Sequence, residues 1–548
     1  MARFGSSALI AASLVGLISP LAARPLSPPI VNAPAGKVLG VRDATLNVFK
    51  GINYAVPPVG PLRWRAPRPL PRWHGVFNAD HFGPACYQPM APAGVYTSAP
   101  MHMSENCLSL NIWAPRHAHM MPVMVWIYGG ALIGGYNGDP LYNGAVLARH
   151  GIIVVTINYR LGVLGWLAHP QLSAESPRHV SGNYGLLDQI LALKWVRRNI
   201  SAFGGDPHNV TIAGESAGGL SVMYLMASPA ARGLFTKAIA ESAYMVSTPD
   251  LKQNRHGMMS AEAAGLLMAK RLHAPNIAAL RAMKASTLTV AADAVGFMPL
   301  GTVDGQVLPA QLTRIFGQGK TAKVPLLAGF NSGEIRSLRV LAPKPVASAA
   351  LYTRLIRAHY GDLADAFLKL YPAEPMEESI LRTTRDALYG WTAEKMVRDQ
   401  TKAGEPSYLY FFDHGYKAED EAHLHGFHAS ELPFVFGNLE STPPLWPRVP
   451  NTSSERRLSR QMVDYWASFV RTGTPSGGNG APDWTAYGNR GFYLDVGATP
   501  TVKTHLLPGM YRLNEAVVCR RYVSGKEAWN WNVGLAAPVL PPPSPKCP

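Results

Sequence analysis

The chain has 548 residues, of which 47% are apolar and 16% charged, a composition that excludes a disordered chain and is typical of a globular protein with a large core. Lysine and arginine outnumber aspartate and glutamate by 51 to 35, so the formal net charge is +16. Basic residues occur singly or in pairs such as Arg197-Arg198, without a nucleic-acid-binding motif. We therefore predict a solvated basic surface and no nucleic-acid partner.

The N-terminus has the pattern of a secretory signal. Arg3 supplies a positive charge, residues 8–21 form an apolar stretch, and the small residues Ala22-Ala23 precede Arg24. This pattern predicts a signal peptide over residues 1–23 and a secreted or periplasmic mature protein; the alternative is an uncleaved N-terminal anchor. No other stretch of about 18 uninterrupted apolar residues occurs, so we expect no stable membrane insertion after signal removal.

The chain contains four cysteines, Cys86, Cys107, Cys519 and Cys547. An even number behind a signal peptide favours disulfides, and of the three possible pairings we favour first with second and third with fourth, because each closes a short local loop. The cysteines lack zinc-binding spacing. His423, His425 and His428 form the only close group of three histidines, and without cysteine partners or a His-Glu-x-x-His motif they predict a loop with one functional histidine, not a metal site.

From about residue 120 onward, short apolar runs alternate with segments of helical periodicity. The runs that predict buried parallel strands are 123–128, 152–158, 210–213, 237–240, 324–329, 408–412 and 492–496. Apolar spacing predicts helices over 184–200 and 220–227. This alternation predicts an α/β fold with a mostly parallel central sheet, helices on both faces and large insertions. We expect residues 24–548 to form one catalytic domain, with extended proline-rich arms at 25–34 and 538–548.

Residues 214–218 read Gly-Glu-Ser-Ala-Gly, the single Gly-x-Ser-x-Gly match in the chain. The match follows a predicted strand and opens a predicted helix, which is the context of a nucleophile elbow. Its glycines allow a sharp turn that projects the Ser216 hydroxyl at the tip of the strand. The motif therefore predicts Ser216 as a nucleophile; the alternative is a structural serine in a glycine-rich turn.

A serine nucleophile requires a base and hydrogen-bond donors for the oxyanion that forms on attack. Small residues follow the predicted strand 123–128, and they leave backbone N–H groups uncovered near a bound carbonyl. We predict that Gly130, Ala131 and Ala217, the residue after the nucleophile, supply these donors. Considered alone, the glycine pair at 129–130 is equally consistent with an ordinary strand-to-loop turn.

Longer motifs surround these positions. The segments are 49–55 (Phe-Lys-Gly-Ile-Asn-Tyr-Ala), 57–60 (Pro-Pro-Val-Gly), 105–111 (Glu-Asn-Cys-Leu-Ser-Leu-Asn), 183–189 (Asn-Tyr-Gly-Leu-Leu-Asp-Gln) and 203–207 (Phe-Gly-Gly-Asp-Pro). Together they resemble the type-B carboxylesterase family, which includes the cholinesterases and some lipases, and the resemblance runs from residue 49 to residue 487. It implies an α/β-hydrolase fold and ester hydrolysis through an acyl-enzyme, with no metal or cofactor.

The resemblance also implies the other two members of a catalytic triad. The family's acid follows a strand and a Gly-x-Asn turn, the pattern of residues 326–334, so Glu334 is the expected acid. The family's histidine precedes an acidic residue and a Pro-Phe-Val-Phe-Gly-like run, the pattern of residues 428–437, so His428 is the expected base. The order Ser, Glu, His is that of the α/β-hydrolase scaffold. His425 is the nearest alternative base, although its flanking residues do not fit the pattern.

Some features bear on the substrate, which we expect to be a small-molecule ester. Many family members have three consecutive glycines where this chain has Gly129-Gly130-Ala131, but alanine keeps its N–H. The loop between Cys86 and Cys107 contains no tryptophan, and this absence, with the positive net charge, argues against a choline ester. Three functions remain open: a general carboxylesterase, a lipase or specialised esterase for a bulky natural ester, and a non-catalytic binding protein. The sequence predicts no particular oligomeric state.

Overall fold

The computed structural model describes residue 1 and residues 27–90, 94–98 and 101–547. Apart from Met1, the predicted signal peptide lies outside these residues. The strands are Ile30–Ala33 (β1), Gly36–Leu39 (β2), Val41–Arg42 (β3), Leu46–Asn53 (β4), Val76–Asn78 (β5), Ser109–Pro115 (β6), Met121–Ile127 (β7), Ile153–Ile157 (β8), Gly205–Glu215 (β9), Lys237–Glu241 (β10), Leu326–Asn331 (β11), Ser407–Phe412 (β12), Phe492–Val496 (β13) and Pro500–Thr504 (β14).

The α-helices all lie after β7 in the described part of the chain. They are Ala145–Arg149 (α1), Gly162–Trp166 (α2), Pro170–Glu175 (α3), Tyr184–Asn199 (α4), Ala217–Ala227 (α5), Ala261–Arg271 (α6), Ile277–Ala282 (α7), Ala285–Ala294 (α8), Leu312–Gly317 (α9), Ala349–Tyr360 (α10), Ala364–Leu370 (α11), Met376–Arg385 (α12), Trp391–Lys402 (α13), Lys417–Glu421 (α14), Leu432–Val435 (α15), Ser453–Thr472 (α16) and Met510–Ser524 (α17). No helix in the described part of the chain is both long and apolar enough to cross a membrane.

An eleven-stranded sheet runs in the order β14-β13-β12-β11-β10-β9-β7-β8-β6-β4-β3 among the described residues. The strands from β8 to β13 pair in parallel, whereas the pairs at both ends of the sheet are antiparallel. The predicted α/β fold with a mostly parallel central sheet is therefore confirmed, and all seven predicted strands are present with bounds shifted by a few residues.

The central strands are apolar on both sides, which explains why their sequences read as continuous apolar runs. In β7, Val125 and Ile127 belong to the apolar cluster on one face of the sheet, and Trp126 belongs to the cluster on the other face. Helix α5 packs into the first cluster and α16 into the second. Helices therefore cover both faces of the sheet, as the sequence predicts.

The N-terminal part of the chain differs from the sequence-based description. Residues 30–33, expected to lie in an extended arm, form β1, which pairs with β2 in a separate three-stranded sheet with β5. Strand β4 joins the large sheet through antiparallel pairing with β6, interrupted by an irregularity between Phe49 and Ile52. These strands were missed because β1 and β2 are short and all three are partly exposed and irregularly patterned.

Both predicted disulfides are present. Cys86 bonds to Cys107, and Cys519 on α17 bonds to Cys547. The second bond, with a backbone hydrogen bond of 2.7 Å from the Leu540 amide to the His359 carbonyl, holds the proline-rich C-terminal segment against the rest of the chain. The C-terminal segment is therefore attached to the folded body rather than free along its length.

Candidate active site

The Gly-Glu-Ser-Ala-Gly motif forms a sharp turn between β9, which ends at Glu215, and α5, which begins at Ala217. Ser216 lies between them with φ 57° and ψ −120°, a backbone conformation that residues other than glycine seldom adopt. A Cβ on Gly218 would stand 2.0 Å from the carbonyl oxygen of Ile127 at the end of β7. The motif needs glycine there because the turn passes directly over the neighbouring strand.

The predicted acid and base meet at the same edge of the sheet. Glu334 lies just after β11, where the backbone N–H of Asn331 donates to its Oε1 at 2.8 Å. Its Oε2 forms a short hydrogen bond with Nδ1 of His428, 94 residues further along the chain. The side chain of Asn331 donates to the carbonyl of Phe427 at 2.9 Å and so holds the histidine loop against the loop after β11. The structure therefore brings Glu334 and His428 together, with both side chains buried.

The other ring nitrogen of His428 faces a second carboxylate. Nε2 lies 3.0 Å from Oε1 of Glu215, the residue directly before Ser216. Ser216 itself is buried, and no hydrogen bond between its hydroxyl and the imidazole occurs among the described residues. Catalytic hydrogen bonds are often long in a protein without substrate and shorten in the Michaelis complex. The imidazole thus makes a hydrogen bond to Glu334 at Nδ1 and has the Glu215 carboxylate within ion-pair distance of Nε2.

This arrangement shifts the pKa values of its members. Burial by itself lowers the pKa of His428, but the carboxylates of Glu215 and Glu334 outweigh it and raise this pKa to about 9. Burial also raises the pKa of Glu215 to about 7, although the charge of His428 opposes that shift. The geometry thus favours an imidazolium between two carboxylates in the free protein.

The predicted oxyanion donors lie on the loop after β7 and at the start of α5. Gly130 and Ala131 have φ values of 98° and 54°, and both are exposed. Within the described chain, the N–H groups of these two residues and of Ala217 meet no hydrogen-bond acceptor. The carbonyl of Gly130, in contrast, accepts the amides of Ile133 and Gly134 at 2.9 and 3.0 Å. The loop therefore turns its carbonyl inward and leaves N–H groups free for a ligand.

Two tyrosines that the sequence did not single out also contact the histidine. The Tyr96 hydroxyl donates to the backbone carbonyl of His428 at 2.9 Å and lies 2.6 Å from Oγ of Ser337. The ring centroid of Tyr389 lies 5.3 Å from that of His428. No local signal could have identified Tyr96, because it stands 332 residues before its partner. Aromatic side chains therefore surround the histidine.

The alternative base, His425, lies in a different environment. Its Nδ1 is 2.6 Å from Asp420 and its Nε2 is 3.5 Å from Asp413, and 42% of its side chain is exposed. Hydrogen bonds to Asp413, which has the larger effect, and to Asp420 raise the pKa of His425 to about 9. In the part of the chain that the structure describes, no group of three or more His, Cys, Asp or Glu side chains could hold a metal ion.

Comparison with known proteins agrees with this geometry. A model of the carboxylesterase family matches residues 27–513. The chain is 35% identical over 519 residues to the fumonisin B1 esterase of Sphingopyxis macrogoltabida, covering 90% of this chain and 91% of that protein. It is 37% identical over 473 residues to the para-nitrobenzyl esterase of Bacillus subtilis, covering 84% and 92%.

The fold comparison leads to the same family. A solved PNB esterase superposes with a TM-score of 0.76 at 33% identity, covering 88% of this chain and 99% of that one. The resemblance inferred from the sequence motifs is therefore confirmed over nearly the whole chain. The chain belongs to the carboxylesterase family and is a carboxylic ester hydrolase.

Proposed function

We propose that the protein hydrolyses carboxylic esters with Ser216 as nucleophile, His428 as general base and Glu334 as the acid that orients the imidazole. The observation that carries this proposal is the buried contact between Glu334 and His428 beside the Ser216 turn. Three free N–H groups, those of Gly130, Ala131 and Ala217, supply the donors for the oxyanion.

In the acylation step, Nε2 of neutral His428 accepts the Ser216 proton as the serine oxygen attacks the ester carbonyl. Glu334 accepts the hydrogen bond from Nδ1–H, keeps the ring in the required tautomer and stabilises the imidazolium. The imidazolium then protonates the leaving alcohol, and the acyl group remains on Ser216. Nε2 must move away from Glu215 toward Ser216 for this transfer, because the Glu215 carboxylate accepts from protonated Nε2 whereas the Ser216 hydroxyl needs the lone pair of the neutral ring.

Deacylation repeats the same proton transfers with water. His428 removes a proton from the attacking water, the tetrahedral intermediate forms against the same N–H donors, and Ser216 leaves with the proton returned by the imidazolium. Between the proton transfers, while His428 is protonated, the Glu215 carboxylate stabilises the imidazolium from its position 3.0 Å from Nε2. The products are a carboxylic acid and an alcohol.

We propose that the substrate is a small soluble ester with short or medium acyl groups or an aryl group. The ring of Tyr96, which lies beside the histidine and is partly exposed, offers an apolar surface to such groups. One relative is named for a para-nitrobenzyl ester, which is aromatic. The choline ester that the sequence disfavours would need a cation-binding aromatic site.

We also propose that residues 24–548 form one catalytic domain that is secreted or periplasmic after removal of residues 1–23. Support for a single domain comes from the large sheet, whose strands are drawn from residue 41 to residue 504. The two disulfides support an oxidising compartment, since such bonds are rare in the cytosol.

A fluorophosphonate probe tests the proposed chemistry. We expect covalent labelling that peptide mass spectrometry assigns to Ser216, together with hydrolysis of a panel of soluble esters that vary in acyl length and alcohol size. Rates on soluble short-chain esters should exceed those on emulsified long-chain triglyceride. Labelling at another residue, or a folded protein that neither reacts with the probe nor cleaves any ester, would contradict the assignment and favour a binding protein.

Replacement of Glu215 by glutamine tests the second carboxylate. Because a neighbouring carboxylate favours the imidazolium, its removal lowers the pKa of His428, and the neutral base appears at lower pH. We expect the acidic limb of the pH profile of kcat/KM to shift toward lower pH by about 1 unit or more. The measurement is kcat/KM for a soluble ester across the pH range. Glu421→Gln, at an exposed site, should leave the limb in place, and an unmoved limb in Glu215→Gln would refute the role.

A further inference from the structure

A row of four residues crosses the central sheet directly behind the Ser216 turn. Glu215 on β9 and Glu241 on β10 are register partners, as are Glu241 and Gly329 on β11, and Gly329 pairs with Tyr410 on β12. Partners in a parallel ladder project to the same face of the sheet. The Tyr410 ring fills the space over Gly329, since a Cβ there would stand 2.2 Å from it. Two carboxyl groups and a phenol thus share one face.

Glu241 has fewer partners than a buried carboxylate requires. It is fully buried, and among the residues that the structure describes only Trp466 Nε1 donates to its Oε1, at 2.9 Å. Its Oε2 has no hydrogen-bond partner among the described residues. An ionised carboxylate in such a site would be costly, because burial removes its hydration and a single hydrogen bond does not replace it. A neutral carboxylic acid keeps the bond from Trp466 on one oxygen and carries a proton on the other.

The surrounding charges point the same way. The titratable groups that face Glu241 are Glu215 on β9, Tyr410 on β12 and Glu431 at the start of α15; α16 contributes the uncharged Trp466. In this part of the described structure, Glu431 Oε1 and the Tyr410 hydroxyl also lack hydrogen-bond partners. With Glu334, four buried carboxyl groups in the described part of the chain raise one another's pKa values, so ionisation of one disfavours ionisation of the others.

We propose that Glu241 is held as a neutral carboxylic acid and acts as a positioning residue beside Glu215, Glu431 and Tyr410. The negative charge of the cluster then stays on Glu215, where it faces Nε2 of His428. The inference goes beyond the proposed function, on which it depends only for the role of His428. It assigns a protonation state to a residue that lies next to neither the serine nor the histidine in the chain.

The proton on Glu241 has a consequence for activity. Loss of this proton would place a second negative charge beside Glu215. The two charges would stabilise the His428 imidazolium more strongly, so less neutral His428 would be present at a given pH. Burial raises the pKa of Glu241 to about 8, even though the Trp466 hydrogen bond opposes the shift. The ionisation therefore falls within a range that can be measured on the folded protein.

Infrared difference spectroscopy tests the protonation state without reference to activity. Between about pH 6 and about pH 10, the wild-type protein should lose a protonated-carboxyl band with a midpoint near pH 8, and this band should be missing from Glu241→Gln. Trp466→Phe removes the hydrogen bond that stabilises the charged form, so the midpoint should rise. Identical difference spectra for wild type and Glu241→Gln would overturn the proposal, whether or not Ser216 is the nucleophile.

The pH profile of kcat/KM tests the positioning role. Glutamine preserves the acceptor for Trp466 and an N–H donor but cannot ionise, whereas methionine has neither group. We expect the plateau of kcat/KM in Glu241→Gln to be reached about 1 pH unit lower than in wild type, and Glu241→Gln to retain more activity than Glu241→Met at every pH. A profile of Glu241→Gln that superimposes on wild type, or equal losses in both variants, would overturn the positioning role.

Discussion

Replacing Ser216 with alanine is expected to lower kcat for a soluble ester by about 10⁶-fold, because the acyl-enzyme route is lost entirely. The donors of Gly130, Ala131 and Ala217 remain, so a small residual rate above that of uncatalysed hydrolysis is expected. Alanine at position 216 has the same unfavourable φ as serine, and the removed hydroxyl makes no hydrogen bond to His428 in the free protein. The fold should therefore persist.

The measurement is single-turnover and steady-state hydrolysis of one chromogenic ester, with thermal unfolding measured on the same samples. Ser286→Ala, on an exposed position of α8, is the matched control and should have wild-type activity. Retention of more than about 1% of wild-type kcat by correctly folded Ser216→Ala would mean that another residue is the nucleophile.

Replacing Glu334 with glutamine is expected to lower kcat by about 10⁴-fold while leaving the geometry of the loop nearly unchanged. Glutamine has the shape of glutamate, but its amide group can donate to Nδ1 of His428 and so favours the tautomer in which Nε2 carries the proton. A ring in that tautomer cannot accept the Ser216 proton. The variant also loses the charge that stabilises the imidazolium during both chemical steps.

Steady-state kinetics with the same ester measure this effect, and fluorophosphonate labelling separates it from loss of the nucleophile. Labelling should still occur at Ser216 in Glu334→Gln, but more slowly. Glu421→Gln, an exposed glutamate on α14, serves as the control. A loss in kcat smaller than about tenfold would show that the buried contact with Glu334 does not orient the base.

Local sequence patterns were sufficient to predict the elements that build the site. The strand-to-helix turn at Ser216 could be recognised because its glycines are required by contacts within a few residues and with one neighbouring strand. The central strands could be recognised because strands buried on both faces are apolar throughout. The N-terminal strands β1 to β6 lie at edges or pair antiparallel, and their mixed patterns did not distinguish them from loops.

Contacts between residues far apart in the chain could not be predicted from local patterns. Glu334 and His428 could be placed only because whole motifs resembled those of a family, since nothing in a spacing of 94 residues indicates a contact. Glu215 directly precedes the nucleophile in the sequence, but only the structure shows that its carboxylate lies 3.0 Å from Nε2 of His428.

By itself, then, the sequence determined the turn that presents Ser216, the parallel sheet beneath it and the family to which the chain belongs. The tertiary structure alone decided that His428 lies between two carboxylates, that Tyr96 holds its backbone, and that Glu241 stands beside Glu215 in the sheet. The physical reason is that these neighbours are chosen by strand order and register, which depend on how the whole chain packs and not on the spacing of residues along it.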